Sequence, residues 1–318
     1  MIWDFVPGEV VPFLKQPLQR DIICLNANEP LVRGHGAGAS SMIMKRTAQP
    51  KMKNVNLTFN FIGVCVVDWH SAFRFFYETL GLKFKLEPKF GDWAMFGGGW
   101  EAYYHEGSRS AIFELFDSGQ VVIERHWGLN QGIRPGFHVS NLQRTLEGLA
   151  IPFTLAERPW GNTAEFSSTE GIRFAFAEIP NTPYSDDLSV PYIGHVAIKC
   201  ANFEAMQDFY GDVLGFTPAE AGPDYAVLAQ PDGHPLVILE PGGASTFDPH
   251  NPPNVDNAVR NFPIFISLMT SDVQAAYAYL RSKNVTVLRE ITSHADWGGT
   301  DFHIADPDGN GIQVVQYE

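Results

Sequence analysis

Residues 66–84 read VVDWHSAFRFFYETLGLKF, and residues 199–218 read KCANFEAMQDFYGDVLGFTP. Laid over one another with Phe75 on Phe209, the two match at the aromatic pairs Phe75-Phe76 and Phe209-Tyr210 and again at Leu80-Gly81 and Leu214-Gly215. The chain therefore repeats a unit, and a repeat decides the fold before any local element does. Two fainter copies begin at His138 (HVSNLQRTLEGLAIPF) and Met269 (MTSDVQAAYAYLRSKNV). Each again places an Asp or Asn ahead of an amphipathic run.

The runs are helices by spacing. Trp69, Ala72, Phe73, Phe76 and Leu80 share one face, as do Phe203, Met206, Tyr210 and Leu214, and Val273, Ala276, Tyr277 and Leu280. Asp68, Asn141, Asn202 and Asp272 stand where N-caps belong. A strand-like run precedes each helix (LTFNFIGVCVV, PGFHV, IGHVAIKC, PIFISLM) and more follow it. In the last copy these are NVTVLREIT, GTDFHIA and GIQVVQY, parted by ADWGG and DPDGN turns. The unit is βαβββ, present four times, which makes the fold α+β.

Residues 1–51 lack sustained periodicity and read as an irregular extension, with Met52 opening the repeats. The segment IPNTPYSDDLSVP suggests a boundary. The expected organisation is a first domain over 52–180 from modules 1 and 2, a linker over 181–192, and a second domain over 193–318 from modules 3 and 4. The 241–263 connection is long and reads as a surface crossover or a lid.

Composition narrows the function. Lys and Arg number 22 against 36 Asp and Glu, a net charge of −14, which disfavours nucleic-acid and anionic-membrane partners. No run approaches the eighteen or so apolar residues of a membrane span, and MIWDFVPGEV lacks the features of a signal peptide. A soluble, cytoplasmic protein is expected. Cys24, Cys65 and Cys200 are odd in number and far apart, so neither a disulfide framework nor a cysteine zinc site is indicated.

Four βαβββ units, with HVAIKCANFEAMQDFYGDVLGF in the third and DPDGNGIQVVQ closing the fourth, resemble the vicinal oxygen chelate superfamily of glyoxalase I, bleomycin-resistance proteins and extradiol dioxygenases. The resemblance implies modules paired into two half-open mixed-sheet cups, helices outside, with a small-molecule site and usually a divalent metal inside. It places metal ligands seven residues before each cap, at Phe61, Arg134, His195 and Phe265, and on the last strands, at Ala175, Val237 and Gln313, with Glu114 in the first module. The two-histidine, one-glutamate set of a ferrous dioxygenase would here read His195, Phe265, Gln313. What remains is either a weak divalent metal (Fe, Mn, Ni or Zn) on His195 and Gln313 or no cofactor.

Strand parity adds a cluster of its own. Val196, Ile198 and Cys200 form one face, as do Phe302 with Ile304 and Ile312 with Val314, which turns His195, Asp301, His303 and Gln313 to the other side. The catalytic candidates are His303, Asp301 and His294, the last matching a histidine that the resemblance makes an acid or base. His195, Gln313, Tyr225 and Trp297 are candidates for substrate binding. Trp160, Glu165 and Arg134 are candidates for a second, metal-free cup. Each histidine is alternatively an ordinary structural residue, and His138 in particular reads as one. The expected protein is a small-molecule enzyme, with a metal-free binding or sequestering protein as the competing class; a homodimer is compatible with either.

Overall fold

Each helix starts where its cap predicts. Asp68 accepts from the Ser71 N–H at 3.0 Å, Asn141 from Arg144 at 2.9 Å, Asn202 from Ala205 at 3.1 Å and Asp272 from Ala275 at 2.9 Å. Each bond satisfies a donor that the first helical turn leaves open. The helices are α1 (Trp69–Arg74), α2 (Leu142–Glu147), α3 (Phe203–Asp208) and α4 (Val273–Ser282). Both α1 and α3 run on into a π-helical turn opened by the repeated aromatic pair, closed by Leu80 N to Phe75 O at 3.0 Å and Leu214 N to Phe209 O at 2.9 Å. The widened turn buries two successive rings. Gly81 (φ 72°) and Gly215 (φ 84°) then end it in the left-handed region, which accounts for the repeated Leu-Gly.

The computed structural model describes residues 55–66, 68–82, 84–86, 93–96, 112–117, 132–169, 171–187, 192–230, 233, 236–243, 264–295 and 298–317. The 1–51 extension, Met52, most of the 241–263 connection, Trp297 and the Glu114 side chain lie outside the described residues. Module 1 supplies β1 (Thr58–Val66), β2 (Phe84–Leu86), β3 (Trp93–Phe96) and β4 (Ile112–Asp117). Module 2 supplies β5 (Ile133–His138), β6 (Thr154–Arg158), β7 (Gly161–Ser167) and β8 (Arg173–Glu178). Module 3 has β9 (Ile193–Cys200), β10 (Thr217–Ala221), β11 (Ala226–Ala229) and β12 (Leu236–Pro241). Module 4 has β13 (Ile264–Met269), β14 (Thr286–His294), β15 (Gly299–Ala305) and β16 (Gly311–Tyr317).

The sheets correct the expected pairing. One runs β14-β15-β16-β13-β1-β4-β3-β2 and the other β10-β11-β12-β9-β5-β8-β7-β6, so module 1 shares a sheet with module 4, and module 2 with module 3. In each, two first strands meet in an antiparallel seam, with Gly63 opposite Phe265 and Gly136 opposite His195. A module's first strand has its own last strand along one edge, and any other module's first strand can cover the second edge. Patterning identifies a buried face, not the neighbour. Accordingly 181–192 does not separate two domains but joins β8 to β9 within one sheet. It is tied along β5 by Ser185 N to His138 O at 3.0 Å and His138 N to Tyr192 O at 2.8 Å.

The predicted parity is observed. Ile62, Val64, Val196, Ile198, Phe302, Ile304, Ile312 and Val314 join Phe76, Met206 and Leu280 from the helices in one buried cluster drawn from both sheets. Phe76 of module 1 meets Phe174 of module 2 edge-on at 5.3 Å, and Tyr279 in α4 donates to Val213 O at 3.0 Å. Helices thus pack across sheets, and Met52–Glu318 is one compact unit rather than two.

Candidate functional site

Asp301 is the hub of the concave face of the module 1/4 sheet. Phe302 and Ile304 point into the helix-side core, leaving Asp301 and His303 on the other face, each 1% exposed. Arg289 on β14 ion-pairs with Asp301, His294 Nε2 lies 3.0 Å from Oδ1, His303 Nε2 lies 3.2 Å from Oδ2, and Gln313 Nε2 donates to Oδ2 at 2.6 Å. The network continues inward: Gln313 Oε1 accepts from Ser267 Oγ at 3.0 Å, and Asn60 Nδ2 donates to Ser267 Oγ at 3.1 Å and to the Tyr317 hydroxyl at 3.0 Å.

These contacts set the charges. Burial alone would push the Asp301 carboxyl up, but the His303 hydrogen bond, the charges of His303 and Arg289, and Gln313 together hold it well below the usual carboxylate range. Burial pushes His303 down to about 4, against the opposing pull of Asp301. At neutral pH the pair is a carboxylate and a neutral imidazole, with His303 Nε2–H donating to Asp301 and Nδ1 carrying the lone pair.

His195 belongs to the other sheet. Its ring stands over Gly136 across the module 2/3 seam, and its Nδ1 lies 2.9 Å from His138 Nε2. His138 Nδ1 lies 3.0 Å from Thr182 Oγ1, whose single proton is given to Ile179 O at 2.8 Å. Thr182 must then accept from His138 Nδ1–H. His195 Nε2 has no hydrogen-bond partner among the described residues. Burial, then the neighbouring His138 and Arg134, hold His195 well below the ordinary histidine range. Beside it Arg134 pairs with both Glu165 and Glu240, Arg158 reaches Glu165 at 2.5 Å, and Trp160 Nε1 donates to Glu240 at 3.3 Å.

The expected cluster is thus divided. Asp301, His303, His294 and Gln313 come together; His195 does not join them, because modules 3 and 4 lie in different sheets. Tyr225 lies in the β10–β11 connection of the His195 sheet, its hydroxyl donating to Glu220 at 2.5 Å, away from the Asp301 hub. Val237 points into the helix-side core, and its neighbour Ile238 takes the concave face. Trp160, Glu165 and Arg134 share a face, but with Glu240 of module 3 rather than with module 1. Sequence reading missed Arg289, Asn60 and Ser267, and it set His138 aside; no spacing signals a histidine pair 57 positions apart.

Among the described residues, the positions that would hold a divalent metal do not fit one. At one seam they present two phenyl rings, Phe61 and Phe265, meeting edge-on at 5.8 Å. At the other they present the Arg134 guanidinium beside His195. His195 and Gln313 lie in separate sheets, and both ends of the Gln313 amide are already bonded. Among the described residues no group of three or more His, Cys, Asp or Glu could hold a metal ion.

Two curled sheets, each made of βαβββ modules joined first strand to first strand, define the vicinal oxygen chelate class of fold. Residues 192–314, spanning modules 3 and 4, match the family model described as Glyoxalase/Bleomycin resistance protein/Dioxygenase superfamily. Glyoxalase I from Zea mays is similar in structure, with a TM-score of 0.54 at 15% identity over 82% of this chain and 93% of that one. A putative dioxygenase from Bacillus subtilis has a TM-score of 0.55 at 14% identity over 83% and 86%. At these identities the likeness is one of fold. A search of curated proteins gives no match. No helix among the described residues is long and apolar enough to cross a membrane.

Proposed function

We propose that this chain is a small-molecule enzyme of the superfamily whose proton transfers rest on the Asp301–His303 pair rather than on a metal at the family's ligand positions. The observation that carries this is one buried carboxylate gripping His303, His294 and Arg289 together. Asp301 fixes the His303 tautomer and stabilises the imidazolium formed when the ring takes a proton from an oxygen-bearing, partly apolar substrate. A ring pushed down to about 4 is neutral at physiological pH and returns its proton readily. Arg289 supplies positive charge and His294 a hydrogen bond beside the carboxylate.

A second reading, a metal-free binding protein, is favoured by the Phe61–Phe265 ring pair, an apolar floor that needs only shape and stacking from its ligand. One variant separates the two. Small molecules that co-purify with the protein, identified by mass spectrometry, and a panel of α-hydroxy carbonyls and catechols provide candidate substrates. On any that turns over, His303→Gln is expected to keep the fold and much of the affinity while lowering turnover about 10²-fold or more. For a binding protein the same change alters affinity by about 1–2 kcal/mol, with no turnover to lose. Destabilisation with neither effect would assign His303 to structure alone.

A further inference from the structure

Along β1, Ile62 and Val64 belong to the helix-side core, and by strict alternation Asn60 should join them. It does not. The β1–β13 register slips between Phe59 and Phe61, and Asn60 is the extra residue. Phe59 accordingly packs against the helix-side core, while Asn60 turns the other way, where its Nδ2 reaches Ser267 Oγ and the Tyr317 hydroxyl.

The slip leaves a backbone N–H to be met from outside the ladder. Gln230, in the β11–β12 connection of the other sheet, meets it: its Oε1 accepts from Phe59 N at 2.9 Å. A backbone N–H can face only the oxygen of an amide, so the orientation of this side chain is fixed. Gln230 is buried, and its Nε2 has no partner among the described residues. The side chain is there for its oxygen, although a bare buried donor is unfavourable.

From Asn60 the hydrogen bonds run one way. Asp301 is a carboxylate, so Gln313 must turn Nε2 toward it and Oε1 toward Ser267. The single Ser267 proton goes to that oxygen, and Ser267 then accepts from Asn60 Nδ2. Asn60 Oδ1 is left without a partner among the described residues, the consequence of a polarity that Asp301 imposes. A β1 strand that kept its alternation would withdraw the Asn60 donor and free Ser267 to turn away from Gln313.

We infer that Gln230 is a positioning residue for the Asp301 hub: it holds the bulge that presents Asn60 and, through Ser267, the Gln313 amide that donates to Asp301. A side chain of the module 2/3 sheet thereby steadies the acid–base pair of the module 1/4 sheet. Its bearing on turnover rests on the role proposed above for Asp301 and His303.

The full chain, carrying ¹⁵N-labelled histidine, asparagine and glutamine, is compared with two variants. Gln230→Met is near in size and lacks the acceptor. It is expected to shift the Asn60 and Gln313 amide signals and the His303 ring signals, while those of His138 and His195, on Gln230's own sheet, stay in place. Gln230→Glu keeps an oxygen for the Phe59 N–H and is expected to bring the shifted signals back toward the parent. On any substrate that turns over, Gln230→Met is expected to lower kcat about tenfold with little change in KM, the pattern of a group that orients rather than binds. Should Gln230→Met fail to fold, Asn60→Ala breaks the same line one residue further on and is expected to move the Gln313 and His303 signals. Unmoved His303 signals in the variant that folds, shifts of equal size at His195 and His303, or Gln230→Glu no closer to the parent than Gln230→Met would overturn the inference. These signals need no substrate. A His303→Gln variant with undiminished turnover would therefore remove the catalytic reading and leave the positioning of Asp301 standing, whereas unmoved His303 signals remove the positioning alone.

Discussion

The two seams follow one plan and fill it with opposite chemistry. In each, a glycine faces a ring across the antiparallel pair. A Cβ on Gly63 would lie 2.1 Å from the Phe265 ring, and one on Gly136 would lie 1.8 Å from the His195 ring. Next to that ring stands Phe61 in one sheet and Arg134 in the other. Where the seam is aromatic, the charged groups described sit farther out, on β14 and β15 around Asp301. Where the seam is polar, the outer strands and the β6–β7 turn supply the apolar wall of Trp160, Val227 and Ile238. The fold thus fixes where a cup has room and leaves open which part of it carries charge.

The largest expected contrast lies between the carboxylates. Asp301 holds Arg289, His294, His303 and Gln313 together, so Asp301→Ala should cost about 3–5 kcal/mol by breaking a buried ion pair and three hydrogen bonds at once. Arg134 keeps Glu165 when Glu240 is neutralised, so Glu240→Gln should cost only about 1–2 kcal/mol. Urea denaturation of both variants measures the difference, and equal losses would remove the distinction between a single hub and a shared network.

Next in size is a dependence on pH that both sheets share. His303, pushed down to about 4, and His195, held well below its usual value, are both neutral in the fold. Below about 6.5 the unfolded chain takes up protons that these rings refuse, so their contribution to stability is complete above that pH and drains away as pH falls towards 4. Asp301 acts in a lower window, its depressed carboxyl stabilising the fold above about 3.8 and losing that effect under stronger acid. Stability measured from pH 7 to pH 4 should fall less steeply in His303→Gln than in the parent, and less steeply in His195→Phe as well. A slope unchanged in either variant would show that the ring concerned titrates normally.

The smallest contrast between the sheets should come from the glycines. Gly136→Ala and Gly63→Ala each press a methyl group into a buried ring and should cost about 1–3 kcal/mol. Only Gly136→Ala should also shift the paired imidazole signals of His138 and His195. Identical spectra would mean that the His195 ring is not seated as described.

Much of the architecture was legible in the sequence, and the reason is local. Caps, helical stripes and strand parity depend on neighbours a few residues away, and Asp272 or Phe302 behave as those neighbours dictate. Module pairing depends on edges that every module exposes alike, so joining modules 3 and 4 placed His195 wrongly beside Asp301. Arg289 escaped for a different reason. The β14–β15 register shifts between Val287 and Arg289 and again between Arg289 and Thr292, and simple alternation fails across such irregularities. Val237 was placed one residue off because the QPDGHP turn hides where β12 resumes its register.

The meeting of the first and last modules also sets an order of events during synthesis. Asn60 and Ser267, partners across a seam, are 207 positions apart, whereas β5 and β9 belong to consecutive modules. Closing so long a loop is entropically dearer and slower. As the chain leaves the ribosome, the middle pair of modules can complete its sheet while β1 still waits for a partner not yet translated. Through that interval its open edge is the part of the newborn chain most exposed to pairing with the wrong strand.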